Sequence, residues 1–372
     1  MKKYTFNVAY ALFCVVLLYI AHNQYDFDLI NNYVLSVLMF MGINIIISTS
    51  LNLVNGNMGE FSCGHAAFIC VGAYVSSILS VLCFGSKFGD PLFPIEYAMF
   101  LFPIIIVIGG IVASLAGILV AIPSFKTRGD YLAIITIAVN YMIISGIENM
   151  KIIGGPSGFM GMKDTVWAMV DTFEFPWMLT WVLLFMTLTV WLIRRFVSST
   201  YGKGVNAICQ DEVAAEIMSV NTNKMKIVNF MLSSGLAGVA GGLFAHIVGF
   251  INPSAFGILK STEAMVMVYL GGMGSLSGAV LSAILFTALL EVLRSQTIID
   301  FILTPVTAVI PDWEPSAGVI KWVLIPLILV LLMQFRPEGI MATASSRTSS
   351  RNSGATTPSD RREPCHCCKY KD

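Results

Sequence analysis

The sequence predicts an all-α fold: a polytopic membrane helical bundle of about ten transmembrane helices. Three observations lead there. Of the 372 residues, 56% are hydrophobic and only 12% charged, whereas a soluble domain carries about 25% charged residues. The apolar runs are continuous over lengths near the ~20 residues a helix needs to cross a bilayer; a membrane β-barrel would alternate apolar and polar positions. Lys126, Arg128, Arg194, Arg195, Lys203, Lys224, Lys226 and the arginines after Gln334 fall in connections that would all lie on one side, which the positive-inside rule assigns to the cytoplasm.

The spans follow in order. Lys2 and Lys3 precede an apolar run over 5–21. His22 and Asn23 follow it in place of a small-x-small cleavage site, so it reads as a first span with its amino terminus inside rather than a signal peptide. Further spans are expected over 33–51, 61–84, 97–122, 131–150, 177–197 and 227–250. The run 264–272 is short and is broken by Gly271, Gly272 and Gly274, the pattern of a discontinuous or re-entrant segment beside a transport pathway. Full spans return at 276–293 and 318–334, leaving both termini inside. Residues 1–341 form the transmembrane domain, with a long cytoplasmic connection over 198–226. Residues 342–372, rich in Ser and Thr at first, read as a disordered cytoplasmic tail.

Composition also excludes functions. A formal net charge of zero argues against a nucleic-acid partner. Cys14, Cys63, Cys70 and Cys83 lie in or beside apolar runs, where cysteine behaves as a small hydrophobe. The terminal Cys365, His366, Cys367 and Cys368 are too closely spaced to close a tetrahedral zinc site, and no metal is expected. No nucleophile elbow, metal-spaced His/Glu set or ATP-binding motif occurs. The chain is therefore expected to be neither an enzyme nor an ATPase, and to hold no cofactor.

The connection from Gly202 to Lys226 carries the most information. Asp211, Glu212, Val213, Ala214, Ala215, Glu216, Ile217 and Met218 contain no Gly or Pro and are mostly good helix formers. The acidic pair stands first, where a helix N-terminus favours negative charge. Val213, Ile217 and Val220 recur at helical spacing as one apolar stripe. A short amphipathic helix ending near Ser219 to Asn221 is expected. It serves either as a knob offered to another protein or as an interfacial helix lying on lipid.

Four other stretches stand out. Asn52 to Ser62 is a polar, Gly-rich break between apolar runs, followed by the small-residue run Gly64, His65, Ala66, Ala67, Gly72, Ala73. Irregular backbone at membrane depth must be covered by protein or line a water-filled cavity, so Ser62, Gly64 and His65 are candidates for the translocation pathway, with Thr136, Gly271 and Gly272. His65 reads equally as a buried histidine satisfied by a neighbour. Arg128-Gly129-Asp130-Tyr131 opens a span, with Asp130 placed to cap it. Gly154-Gly155-Pro156-Ser157-Gly158 is a turn in the outer loop. Ser234, Gly238 and Gly242, and later Gly274 and Gly278, repeat at four-residue spacing, the signature of close helix–helix packing.

Taken together, DEVAAEIMSVN before a Ser-Gly-Ala helix, SCGHAAF at Ser62–Phe68, Arg128–Tyr131, Gly154–Gly158 and Phe335-Arg336-Pro337-Glu338-Gly339 resemble the LivM family of branched-chain amino acid permeases, in that family's order from Leu51 to Gly339. The resemblance implies a permease subunit of a bacterial ABC importer in the cytoplasmic (inner) membrane. It implies as partners ABC ATPase subunits that use ATP, a second LivH-like permease subunit, an extracytoplasmic substrate-binding protein and an amino acid substrate. It places ATPase coupling on Asp211, Glu212, Ala214, Ala215, Glu216 and Ser219. The family usually has Gly where Ser219 stands, and Gly-Glu where Asn140 and Tyr141 stand. A related permease for urea or short amides, and a receptor or channel without an ATPase, are the alternatives.

Overall fold

A computed structural model describes residues 32–85, 97–125, 131–163 and 177–292, with isolated positions at 93, 94, 166, 327 and 334. The expected spans over 5–21 and 318–334, the Arg128–Asp130 turn and the cysteine-bearing tail lie outside the described residues, save positions 327 and 334.

Among the described residues the architecture is helical. The helices are α1 (Asn32–Asn52), α2 (His65–Phe84), α3 (Ala98–Ser124), α4 (Tyr131–Glu148), α5 (Trp177–Ser198), α6 (Thr200–Gln210), α7 (Glu212–Ile217), α8 (Thr222–Val248), α9 (Ile258–Gly271) and α10 (Leu276–Val292). Five stretches are long and apolar enough to cross a membrane: Tyr33–Met58, His65–Phe84, Ala98–Ser124, Trp177–Ser198 and Thr222–Val248. Two apolar helices, Leu132–Glu148 and Leu276–Val292, are shorter. Phe100, Leu119, Ile134 and Met142 point outward, as lipid-facing residues of a membrane bundle do.

Glycine packs the centre. Helix α8 lies between α2 and α3. A Cβ on Gly238 would run into Ala113, one on Gly72 would run into Gly238, and one on Gly242 would sit 2.8 Å from Ser76 Oγ. Gly117 meets Ser234 in the same way, and a Cβ on Gly109 would lie 3.0 Å from the carbonyl of Gly72. The expected Ser234/Gly238/Gly242 face is thus a packing face. Its partner is a second small-residue row, Gly109, Ala113 and Gly117, whose four-residue spacing was equally visible in the sequence. Without a hydrophobic driving force between helices in lipid, such close backbone approach supplies the association energy. Phe230 adds edge-on contacts to Phe68 and Phe125, at centroid distances of 5.5 and 5.9 Å.

The second glycine pair is not a helix face. Gly272 and Gly274 have φ of 98° and 78°, left-handed values that end α9 and open a tight turn before α10. Only Gly278 is helical, and it packs backbone-to-backbone on Gly271 across the turn. Helices α9 and α10 therefore form an antiparallel hairpin, also held by Ser282 Oγ donating to the Met267 carbonyl. The run 264–272 is the second half of α9, and at 14 residues α9 spans ~21 Å, short of a bilayer core.

On the opposite side, the turn at 154–158 is held by a two-stranded ribbon. Strand β1 (Phe159–Met160) pairs antiparallel with β2 (Phe250–Ile251), directly after α8. Gly154, Gly155 and Gly158 all have positive φ, which explains the density of glycine there.

Candidate functional site: the helix break and the cytoplasmic loop

Helix α1 does not stop at Asn52. It continues as a π-helix, Leu53–Met58, which Gly59 closes at φ 76°. π-Turns inside α-helices are rare and favour functional positions. Part of the expected irregular break is therefore widened helix, and the irregular chain is confined to 59–64.

That irregular segment runs beside α9. The Phe61 and Tyr269 rings lie 6.4 Å apart, Cys63 Sγ is 3.5 Å from Met265 Sδ, and the Ala66 amide donates to Ser261 Oγ at 3.1 Å. Buried amides need partners, and side chains supply them here. The Ser62 amide donates to Asn55 Oδ1 and the Cys63 amide to Thr136 Oγ1, each at 3.2 Å. Gly64 packs on the Thr136 backbone, where a Cβ would clash. Ser62, Gly64, His65 and Thr136 are thus brought together at the start of α2. His65 is buried, with its Nε2 2.9 Å from Ser50 Oγ, the satisfied-histidine arrangement. Gly271 and Gly272 are joined to this group through the hairpin turn: the Gly274 amide donates to Asn52 Oδ1 at 3.0 Å, and a Cβ on Gly56 would meet that same turn.

Asn140 was not among the expected site residues. It is buried one turn beyond Thr136 on α4, and neither polar atom of its side chain has a hydrogen-bond partner among the described residues. A polar residue in a span is itself the signal that marks such a position. Tyr141, beside it, points outward.

The loop over 198–226 is helical nearly throughout. Helix α6 occupies its first part, and α8 begins at Thr222 rather than 227. Between them lies α7. Asp211 caps it, its Oδ1 accepting from the amides of Val213 and Ala214, both at 3.0 Å. The C-terminus is a Schellman turn: the Ser219 amide donates to the Glu216 carbonyl at 2.9 Å and the Val220 amide to the Ala215 carbonyl at 3.1 Å. That motif needs a left-handed residue after the helix, and Ser219 takes it at φ 63°.

Burial corrects the expected face of this helix. Ala215 is 5% exposed and faces the body of the protein, while Val213 is 67% and Ile217 and Met218 each 78% exposed. Val220 follows the turn and leaves the stripe; Met218 joins it instead. Ala215 is therefore the inward anchor of α7, not part of its outer face. Ala214, Asp211, Glu212, Glu216 and Ser219 remain exposed. Glu216 Oε1 also accepts from Thr222 Oγ1 at 3.0 Å, and Glu212 pairs with Lys226 Nζ at 2.9 Å, so both ends of α7 are tied to the start of α8.

Residues 33–334 match the family described as the branched-chain amino acid transport system permease component. The chain belongs to that family. The permease is 27% identical to the high-affinity branched-chain amino acid transport system permease protein LivM of Escherichia coli, over 84% of this chain and 71% of that one. It is 27% identical to the probable LivM of Methanocaldococcus jannaschii, over 82% of this chain and 92% of the relative. A ribose import permease, RbsC of Haemophilus influenzae, is 25% identical over 66% of this chain and 76% of its own. LivH of Salmonella typhimurium matches over 134 residues at 27% identity, 36% of this chain and 40% of LivH. No solved structure matches. The permease is a multi-pass membrane protein and the permease subunit of an ABC importer.

Proposed function

We propose that this permease moves branched-chain amino acids (leucine, isoleucine and valine) inward across a bacterial cytoplasmic membrane by alternating access. Separate ATPase subunits dock on α7 and drive it, a LivH-like subunit completes the permease pair, and an extracytoplasmic protein delivers the substrate. The observation that carries this reading is the outward face of Val213, Ile217 and Met218 on a capped helix in the long cytoplasmic loop. A rigid, solvent-exposed apolar knob beside acidic residues suits a groove on a soluble partner. The names of the LivM relatives support the substrate class. The pathway is read along the break at 59–64, with Ser62, Gly64, His65 and Thr136 beside it and the Asn140 amide free to meet a polar solute. The chain supplies no carboxylate-binding cluster there among the described residues, which suits selectivity residing in the delivering protein.

The test is ATP-driven uptake of radiolabelled leucine by the complex reconstituted in liposomes, with ribose and urea as control solutes. Leucine accumulation dependent on ATP and on the binding protein is expected. Accumulation of urea or ribose alone would move the substrate assignment, and uptake indifferent to ATP would remove the ATPase from the mechanism.

A further inference from the structure

Lys226 sits in the first turns of α8 and is buried, and two carboxylates converge on it. Its Nζ lies 2.8 Å from Glu60 Oε1 and 2.9 Å from Glu212 Oε1. The Phe125 ring stands 5.9 Å from the same ammonium. The carboxylates come from separate parts of the chain. Glu212 is the first residue of α7. Glu60 follows the left-handed Gly59 that closes the π-helix, at the head of the irregular segment 59–64. An ammonium carries three donors, so it can hold both at once.

We propose that Lys226 is a positioning residue that couples α7 to the irregular segment, so that displacement of α7 is delivered to the break between α1 and α2. The side-chain exposures indicate which way the link is anchored: 8% for Lys226, 23% for Glu60 and 47% for Glu212. Water can replace a partner of Glu212, but the ammonium has little water to turn to, and a buried charge left unpaired is unfavourable. Movement of α7 therefore carries the ammonium with it or shifts its load onto Glu60. Glu60 in turn leads the segment whose amides are held by Asn55 and by Thr136 of α4, and which runs into the first turn of α2, where the Ala66 amide is held by Ser261 of α9. Three elements of the bundle are thus within a few bonds of the loop. The link rests on the reading above that α7 receives the ATPase.

The test uses the full complex in nanodiscs with two readouts. One is hydrogen exchange of the 59–64 amides, with and without trapping of the ATPase by ATP and vanadate; the other is leucine taken up per ATP hydrolysed. In the wild type, trapping is expected to change exchange at 59–64. Lys226→Met should retain the ATPase subunits and basal hydrolysis, lose that exchange response, and lower uptake per ATP by ~10-fold, within the usual range of coupling between sites. Lys226→Arg should restore both. Glu60→Gln, which leaves the Lys226–Glu212 pair in place, should reproduce the loss, and Glu60→Gln with Glu212→Gln should be no worse than either alone, as links in series require. An exchange response that survives in Lys226→Met or Glu60→Gln overturns the proposal, as does loss of the ATPase subunits from a folded Lys226→Met permease. If the Lys226→Met chain itself does not fold, Glu60→Gln decides. A wild type that takes up no leucine would count against the function proposed above, while the exchange readout would still test the link.

Discussion

Asn52 Oδ1 accepts the backbone amide of Gly274 at 3.0 Å, joining the last α-helical residue of α1 to the hairpin turn 222 positions later. Asn52 is buried and Gly274 half-buried, so the amide left by removing Asn52 would be only partly solvated. Asn52→Leu should lower the unfolding midpoint of the detergent-solubilised permease by an amount corresponding to about 0.5–1.5 kcal/mol, the net worth of one hydrogen bond. Asn52→Asp keeps the acceptor but buries a charge, and should not restore it. A midpoint unchanged in Asn52→Leu would show that the turn is held by its glycines alone.

The α3–α8 seam has no room for added bulk. A methyl group on Gly238 already collides with Ala113, so Gly238→Leu must separate two helices. Overpacking of this kind costs ~1–3 kcal/mol or more. Reduced recovery of monodisperse protein is expected, with Gly238→Ala intermediate. Gly146, whose Cβ would meet nothing within 4 Å, is the control: Gly146→Leu should be recovered as wild type.

Helix α7 separates two effects that look alike in sequence. Ile217→Arg and Met218→Arg alter exposed residues; they should leave expression unchanged, yet abolish substrate-stimulated ATP hydrolysis and uptake. A desolvated charge at a tight contact is worth several kcal/mol. Ala215→Arg is different in kind. Its side chain would enter the body of the protein, so it should disturb the loop itself and increase proteolysis between 198 and 226. Normal coupled uptake in Ile217→Arg would favour a helix lying on lipid, where an added arginine is welcome.

Ser219 adopts a conformation that an L-residue reaches at a cost of roughly 1–2 kcal/mol. Ser219→Gly should stabilise the loop by about 1 kcal/mol, read as slower exchange of the α7 amides. Ser219→Val, β-branched at φ 63°, should do the reverse. Equal exchange in all three would mean that the Schellman turn is not what holds α7 closed.

Much of this was legible in the sequence. Continuous apolar runs located the long helices to within a few residues, and the cap at Asp211 and the Gly-broken end of α9 were visible as residue types. The helix face of α7 was not. Periodicity identified Val213 and Ile217 as one stripe, but a stripe can point inward or outward, and for a six-residue helix the direction is set by tertiary packing around Ala215. The π-helix was also hidden, because Leu53 to Met58 differs from an α-helix only in which amide each carbonyl accepts. Lys226 read as a cytoplasmic charge of the positive-inside pattern. Its pairing with Glu60 spans 166 residues and no local signal announces it. The row Gly109, Ala113, Gly117 was there to be found at the same spacing as its partner.

Where α1 widens, α8 is attached to its backbone. Ser233 Oγ donates to the Ser50 carbonyl at 2.7 Å and Asn229 Nδ2 to the Leu53 carbonyl at 2.8 Å. Side-chain contacts can slip by a turn and re-form; bonds to particular carbonyls cannot, unless both are broken together. Helices α1 and α8 therefore travel as a single strut, and α3 follows because its glycines leave no clearance for sliding. Helix α10 is stitched to the same strut, by Ser48 Oγ donating to the Ala279 carbonyl at 3.2 Å and Asn44 Nδ2 to Thr287 Oγ1 at 2.9 Å, so any change of shape during a transport cycle has to fall on elements outside this stitched group.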